Sequence, residues 1–320
     1  MQSPISKILI TGTTGFVGQA LCRQLVKENY SIRILLRDIS QAGLLPANLE
    51  AEYVVGDITD IDSMQSACAN MDAVIHLAGV AHVSNDSSEL SNKVNVEGMG
   101  NLIKMANEQK LKRFVFLSSS LAEAAENEKG DVTHYGKEKR AAEKLLQKIE
   151  NTFDYIILRS VNVYGRGMKG NIAGMISLIY RGRLPRLPQL RSKISLLGVD
   201  DLARGLLLSL KAEDIVNKTY AITDGQAYSI SDIEEAIYNA LGKRLPRWRT
   251  PAVVLYLASA AAGLLSKVRG RSGSISSRTY RNLTTDNLFE NEKICKDLAF
   301  EPGMTLYQAL PGIVEEIKNR

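Results

Sequence analysis

The first half of the chain repeats one rhythm: a short apolar, β-branched run, a break, then a stretch with apolar positions every three or four residues. Lys7–Thr11 (KILIT) is the first run, and residues 16–28 carry the first helical pattern. Further strand-like runs are Ser31–Leu36, Glu52–Val55, 72–77 (DAVIHL), 113–117 and 155–158. Helical periodicity is longest over about 89–109 and returns over 135–149 in a stretch rich in Lys, Glu, Ala and Leu. Strands alternating with helices at this interval predict an α/β protein, a doubly wound parallel sheet with helices on both faces and right-handed crossovers.

After residue 165 the rhythm loosens. Gly, Pro and Arg gather in 165–170 and 182–191 with a helix between them. A strand at 194–197 leads into the helix Val199–Lys211, and one at 219–223 into a helix at 230–241. This predicts a domain over 1–165 and a smaller mixed α/β lobe over 166–320, with some chain returning to the first. Residues 270–281 read as a loop.

Composition narrows the classes. The chain has 320 residues, 45% hydrophobic and 23% charged, as ordinary globular proteins do. The net charge of +5 comes without an arginine-rich, aromatic-interleaved run, so an anionic small molecule is expected as partner and nucleic acid is not. Cys22, Cys68 and Cys295 lack metal or disulfide spacing; no metal and a reducing, cytoplasmic setting are expected. The N-terminus enters a strand without a secretory signal pattern. Residues 251–265 (PAVVLYLASAAAGLL) fall short of the roughly 20 a membrane span needs. They are read as a buried or partly exposed helix rather than a transmembrane segment. Flanking Arg247, Arg249, Lys267, Arg269 and Arg271 keep weak attachment to an anionic membrane surface as a minor alternative.

The first strand–helix junction carries chemistry. In Thr11-Gly-Thr-Thr-Gly-Phe-Val-Gly18, Gly12 permits a tight turn, Gly15 lets a pyrophosphate approach the backbone, and Gly18 allows close helix packing. Thr14, Phe16 and Val17 complete a loop that opens the helix, whose free N–H groups favour phosphates. This predicts a dinucleotide site on a Rossmann sheet. Arg37 ends the second strand, where a cation accommodates a 2′-phosphate, so NADP is favoured; the adjacent Asp38 keeps NAD as the alternative.

Tyr135 and Lys139 lie four apart, on one face of a helix. An ammonium beside the phenol predicts a pKa below the usual value of about 10, which suits proton transfer near neutral pH. Ser119, at the end of the strand over 113–117 and beyond, is placed to hydrogen-bond the same oxygen. Ser118 and Ser120 are its alternatives.

With these residues, Asp57, His76-Leu-Ala-Gly79 and Asn95 in order, the chain resembles the extended short-chain dehydrogenase/reductase family of NAD-dependent epimerases and dehydratases over nearly its whole length. Within it, the nearest likeness is to bacterial UDP-sugar 4-epimerase-like proteins and UDP-4-keto-6-deoxy-sugar 4-reductases. The resemblance implies that Asp57 and Ile58 meet the adenine and that Leu77, Ala78 and Gly79 pass under its ribose. It also implies that Asn95 shapes the site, that Tyr135 and Lys139 touch the nicotinamide ribose, and that Ser119, Tyr135 and Lys139 are catalytic. Leu158-Arg-Ser-Val-Asn162-Val-Tyr-Gly165 resembles the opening of a sugar-binding lobe, with Asn162, Asn171, Ser119 and Ser120 at the substrate. Val199-Asp200-Asp201 resembles that subfamily's helix start, its carboxylates serving equally as capping groups. His82 is placed at the sugar, or is an inert loop histidine; His76 is read as buried structure and His134 as a neighbour of the Tyr.

The chain departs from the family in two places. The stretch from Ser119 to Tyr135 is short and lacks the usual Val-Tyr-Gly and proline. The Arg expected in the lobe strand falls on Ile194, so Arg191 or Lys193 takes the diphosphate, with Arg278 or Arg281 closing over the nucleotide. The implied activity is reduction of a 4-keto UDP-(6-deoxy)-hexose at C4 in surface-polysaccharide sugar synthesis. The alternatives are a UDP-sugar 4-epimerase on bound NAD and a non-catalytic NADP-binding regulator. A homodimer through helices near 89–109 and 135–151 is implied too.

Overall fold

The computed structural model describes residues 4–81, 88–127, 132–148, 150–254, 257 and 285–319. The chain forms two compact units. The first comprises Met1–Val161, Val199–Ile222 and Asn291–Glu301; the second comprises Asn162–Gly198, Thr223–Glu290 and Pro302–Arg320.

The first unit is built on a seven-stranded parallel sheet in the order β3-β2-β1-β4-β5-β6-β9. The strands are β1 (Lys7–Thr11), β2 (Ser31–Leu36), β3 (Glu52–Val55), β4 (Ala73–His76), β5 (Arg113–Ser119), β6 (Asp154–Ser160) and β9 (Lys218–Ile222). Ile8, Leu9 and Ile10 in β1 and Val74 and Ile75 in β4 are fully buried. Continuous apolar runs of this kind mark strands covered on both faces. Strand order reverses between β1 and β4, and the crevice beyond the carboxyl ends of those strands is where such sheets bind ligands.

Its helices are α1 (Phe16–Leu25), α2 (Ile61–Cys68), α3 (Ser88–Asn92), α4 (Gly98–Glu108), α5 (Ser120–Glu126), α6 (His134–Leu146), α8 (Val199–Lys211) and α10 (Glu292–Leu298). The helical pattern over 89–109 is one run interrupted by a π-helical turn, Lys93–Glu97, between α3 and α4. The second-half rhythm is redistributed as well. Helix α8 packs on α1, and β9 pairs in parallel with β6, so both return to the first sheet. Residues 39–44 form a 3₁₀ turn, capped by Asp38.

The second unit holds a three-stranded sheet, β10-β8-β7, with β7 (Asn162–Tyr164), β8 (Lys193–Gly198) and β10 (Ala227–Ser229). Helices α7 (Asn171–Tyr180), α9 (Ile230–Ala240) and α11 (Leu306–Lys318) pack around it. Its centre is polar but satisfied: the Tyr164 and Tyr228 hydroxyls donate to Asp224, at 2.8 and 2.5 Å. Among the described residues no helix is long and apolar enough to cross a membrane. Of residues 251–265, Val253, Val254 and Leu257 are exposed large apolar side chains. Residues 255, 256 and 258–265 of that stretch lie outside the described set.

Candidate active site

The glycine loop sits where β1 meets β4. Gly12 has φ +79°, and a β-carbon there would lie 2.5 Å from Ala78 N and 2.7 Å from Leu77 C. The backbone of the 77–79 turn therefore excludes any side chain at residue 12. A β-carbon at Gly18 would reach within 2.3 Å of Gly12 O, so α1 starts directly against the loop. Gly15 is the N-cap of α1 and brings no side-chain cap, which leaves the first-turn N–H groups facing outward with their partial positive charge. Thr13 is buried, and its Oγ1 has no hydrogen-bond partner.

At the end of β2, Arg37 is exposed. Asp38 accepts from Ser40 N at 2.8 Å and so spends its carboxylate on the 39–44 turn. Asp57 folds back on its own loop, accepting from Thr59 N and Oγ1, both at 2.9 Å. Ile58 is buried beneath Gly98, where a β-carbon would sit 2.8 Å from Ile58 Cγ1.

Helix α6 presents Tyr135 and Lys139, the candidate acid–base pair. Thr133 caps it by accepting from Gly136 N at 2.9 Å. Gly136 lies against α5: a β-carbon would meet Leu121 O at 2.5 Å. Within the short 119–135 stretch, Ser120–Glu126 thus forms a helix clamped on α6 one residue after Tyr135, an element the sequence reading missed. Lys139 is 4% exposed; its Nζ donates to Leu117 O at 2.9 Å and stands 4.6 Å from the Phe116 ring centroid and 5.8 Å from that of Tyr135. Burial pushes the Lys139 ammonium down to about 8, against the pull of Glu143 and Glu138.

The phenol behaves differently from the expectation. Burial, then the neighbouring Glu138 carboxylate, push Tyr135 up to about 12 rather than down. Desolvation and a buried carboxylate, both products of the fold, outweigh the ammonium that the spacing places nearby. Ser119 also differs. Its Oγ accepts from Leu121 N at 3.2 Å as the N-cap of α5, and so keeps its own O–H free to donate. Ser118 is committed elsewhere, donating to Glu143 Oε1 at 2.6 Å, and Ser120 is buried. His76 is buried, bonded to Thr11 Oγ1 at 2.7 Å, and pushed down to about 3 by burial and then Lys139. It is a neutral structural imidazole.

Asn95, on the π-turn, closes the floor. Its side chain accepts from Val80 N and donates to Val80 O, each at 2.9 Å, fixing the chain just past Gly79. A β-carbon at Gly79 would lie 3.0 Å from Asn95 Oδ1 and 3.4 Å from Lys139 Nζ, so those two polar atoms converge on one small space. Two buried carboxylates that the sequence reading passed over flank Lys139. Glu138 accepts from Ser91 Oγ at 2.6 Å and from Asn95 Nδ2 at 2.8 Å. Glu143 accepts from Arg159 Nε at 3.0 Å and Nη2 at 2.7 Å. Glu143 stands four residues beyond Lys139 on the same helix face, a signal the sequence carried.

Residues 8–223 match the NAD dependent epimerase/dehydratase family. The chain belongs to that family. It is an enzyme of the extended short-chain dehydrogenase/reductase type. It is 29% identical over 267 residues to UDP-glucose 4-epimerase from Vibrio cholerae, covering 77% of this chain and 79% of that one. A 3-beta-hydroxysteroid dehydrogenase from Mycolicibacterium neoaurum is 26% identical over 337 aligned positions, 97% and 91% of the two chains. Among solved structures, the UDP-glucose 4-epimerase of Thermotoga maritima, with UDP-glucose, has TM-score 0.75 at 22% identity, covering 98% and 99%.

The residues present fit the dinucleotide of an NAD-dependent epimerase/dehydratase. The unpartnered Thr13 hydroxyl, the bare α1 N-terminus and the space at Gly79 bounded by Asn95 and Lys139 are what its phosphates and a ribose require.

In the second unit, Asn162 opens β7 and Asn171 opens α7; both are exposed, as are Arg191 and Lys193. Lys193 N donates to Asp286 Oδ1 at 2.7 Å, which ties the start of β8. In the first unit, Asp201 is buried and paired with Arg204 at 2.8 Å, a structural role for one of the two carboxylates at the α8 start. His82, Arg278 and Arg281 lie outside the described residues.

Proposed function

We propose that this enzyme is an NADPH-dependent reductase of the cytoplasm that converts a 4-keto UDP-6-deoxyhexose to the 4-hydroxy sugar. The observation that carries the reading is the convergence of Lys139 and Asn95 on the turn at Gly79, with the Tyr135 ring centroid 5.8 Å from Lys139 Nζ, beside a glycine loop suited to a dinucleotide. NADPH, when bound, supplies the hydride. Tyr135 delivers the proton to the C4 oxygen as the carbonyl becomes an alkoxide, and solvent restores that proton. A phenol pushed up to about 12 is protonated at neutral pH, the state a proton donor needs. Lys139 holds the nicotinamide ribose and stabilises the phenolate left behind; the free O–H of Ser119 steadies the sugar oxygen.

The end of β2 supports the choice of NADPH. Asp38 is engaged with Ser40, and the exposed Arg37 is left to receive a 2′-phosphate. The second unit is assigned the UDP-sugar, through Asn162, Asn171 and Arg191 or Lys193. His82, Ser120 and Arg281 complete the proposed substrate set. A homodimer is proposed through α4 and α6, which line a groove of about 350 Å³ containing Ile103, Asn107 and Leu145; sedimentation velocity tests it.

A second reading, a UDP-sugar 4-epimerase on tightly held NAD, is favoured by the likeness to the UDP-glucose 4-epimerase of Vibrio cholerae. The deciding experiment is a panel of UDP-hexoses, their 4-keto-6-deoxy derivatives and a 3β-hydroxysteroid, each with NADH and NADPH. Stoichiometric NADPH oxidation with a 4-keto UDP-sugar supports the reductase. Interconversion of UDP-hexoses without added cofactor supports the epimerase. Inertness towards the whole panel with retained NADP binding points to a non-catalytic regulator.

A further inference from the structure

Glu138 stands between Tyr135 and Lys139 on α6, and nothing in the chemistry above uses it. Its side chain is 4% exposed, a costly place for a carboxylate unless it is paired. Two donors meet one oxygen: Ser91 Oγ at 2.6 Å and Asn95 Nδ2 at 2.8 Å both reach Oε2. That oxygen therefore accepts from both donors. The other oxygen lies 3.3 Å from Nδ1 of His134, whose side chain is 60% exposed. The carboxylate thus spans from the floor residue Asn95 to the helix carrying both the candidate acid and its lysine, and ends at a surface imidazole.

We infer that Glu138 is a positioning residue for the Tyr135–Lys139 pair: its carboxylate ties Asn95 and Ser91 to α6 and places a fixed negative charge beside Lys139. The inference rests on the reading of Tyr135 and Lys139 as the acid–base pair. The charged and titratable groups around Glu138 are His134, Tyr135 and Lys139 on α6, with Glu143 on the far side of Lys139. From α3 and the π-turn it receives only neutral donors, Ser91 and Asn95, among the described residues. The directions agree with this geometry: Glu143 and then Glu138 raise the lysine against its burial, and Glu138 raises the phenol. Glu138 therefore keeps the ammonium charged, and the phenol protonated, over the pH range in which a proton donor works.

A purely structural tie predicts something different, and two substitutions separate the cases. Glu138→Gln keeps an oxygen acceptor and removes the charge; Glu138→Asp keeps the charge and shortens the reach. The readout is the titration of the Lys139 side chain by carbon-detected NMR, assigned by its loss in Lys139→Arg, with no substrate or cofactor needed. The native midpoint is expected near 8. In Glu138→Gln it falls by roughly half a unit or more, and the pH profile of hydride transfer moves in the same direction. An unchanged midpoint in a folded Glu138→Gln protein overturns the inference. Should that variant fail to fold, Glu138→Asp decides: a native midpoint supports the charge role, and a lowered one overturns it. If Tyr135→Phe retains full turnover, the acid–base reading falls, while the lysine titration still reports on Glu138.

Discussion

Asn95 and Val80 exchange two hydrogen bonds, the side-chain amide of one reading the N–H and the C=O of the other, each at 2.9 Å. Asn95 does this from a π-helical turn, where the widened helix turns its side chain inward. The pair locks the chain that follows β4, where Gly79 meets Lys139. Asn95→Ala strands the Val80 groups and removes a donor from Glu138. It should cost about 2 kcal/mol of stability in a urea titration and weaken NADPH binding measured by fluorescence. A native midpoint and native affinity would remove Asn95 from the site's architecture.

A buried ionic cluster fastens α6 to the sheet. Arg159 on β6 reaches Glu143 at 2.7 Å and Glu126 at 2.6 Å, and Arg140 joins the same two carboxylates at 3.2 and 2.6 Å. Arg159→Leu leaves the fully buried Glu143 with half its cationic partners. The expected loss is about 3 kcal/mol by denaturant unfolding. A loss below about 0.5 kcal/mol would mean the cluster is replaceable.

Acid stability depends on Asp72. It lies against Lys112 Nζ at 2.6 Å and accepts from the backbone N–H groups of Ser6 and Lys7. Burial acts to raise its pKa, but these donors win and hold the carboxyl at about 2, below the ordinary 3.8. The folded value lies below the unfolded one, so the stabilisation is complete above about pH 4 and is lost as pH falls through about 2. It amounts to about 2 kcal/mol. Asp72→Asn should lack this component at neutral pH and show a flatter acid limb. Parallel acid limbs in the two proteins would contradict the assignment.

Much of this was readable in the residues. The central strands β1 and β4 are buried on both faces, so they stand out as apolar runs, and the glycine loop announces its own turn. Spacing alone put Tyr135 and Lys139 on one helix face. What escaped the sequence depends on small insertions and on desolvation. The five-residue π-turn that aims Asn95 has no periodicity of its own. The three-residue strands β7 and β10 are too short to show alternation, and β9 and α8 return to a sheet that the chain seemed to have left. The direction of the Tyr135 shift was missed because burial and Glu138 set it, and neither is a matter of spacing to Lys139.

Cofactor preference tests the end of β2. Arg37→Ser should weaken NADPH by about tenfold or more, the loss of one charge-assisted contact, and leave NADH nearly unchanged. Equal effects on both cofactors, measured by fluorescence titration, would show that Arg37 does not read the 2′-phosphate.

In the proposed reaction Tyr135 donates the proton in hydride transfer to a sugar ketone. The direct measurement is single-turnover NADPH oxidation with a 4-keto UDP-6-deoxyhexose by the native enzyme and by Tyr135→Phe. The expected rate is lower by about 10²–10⁴-fold in the variant, with NADPH affinity within about threefold of native. Equal single-turnover rates in the two proteins would contradict it.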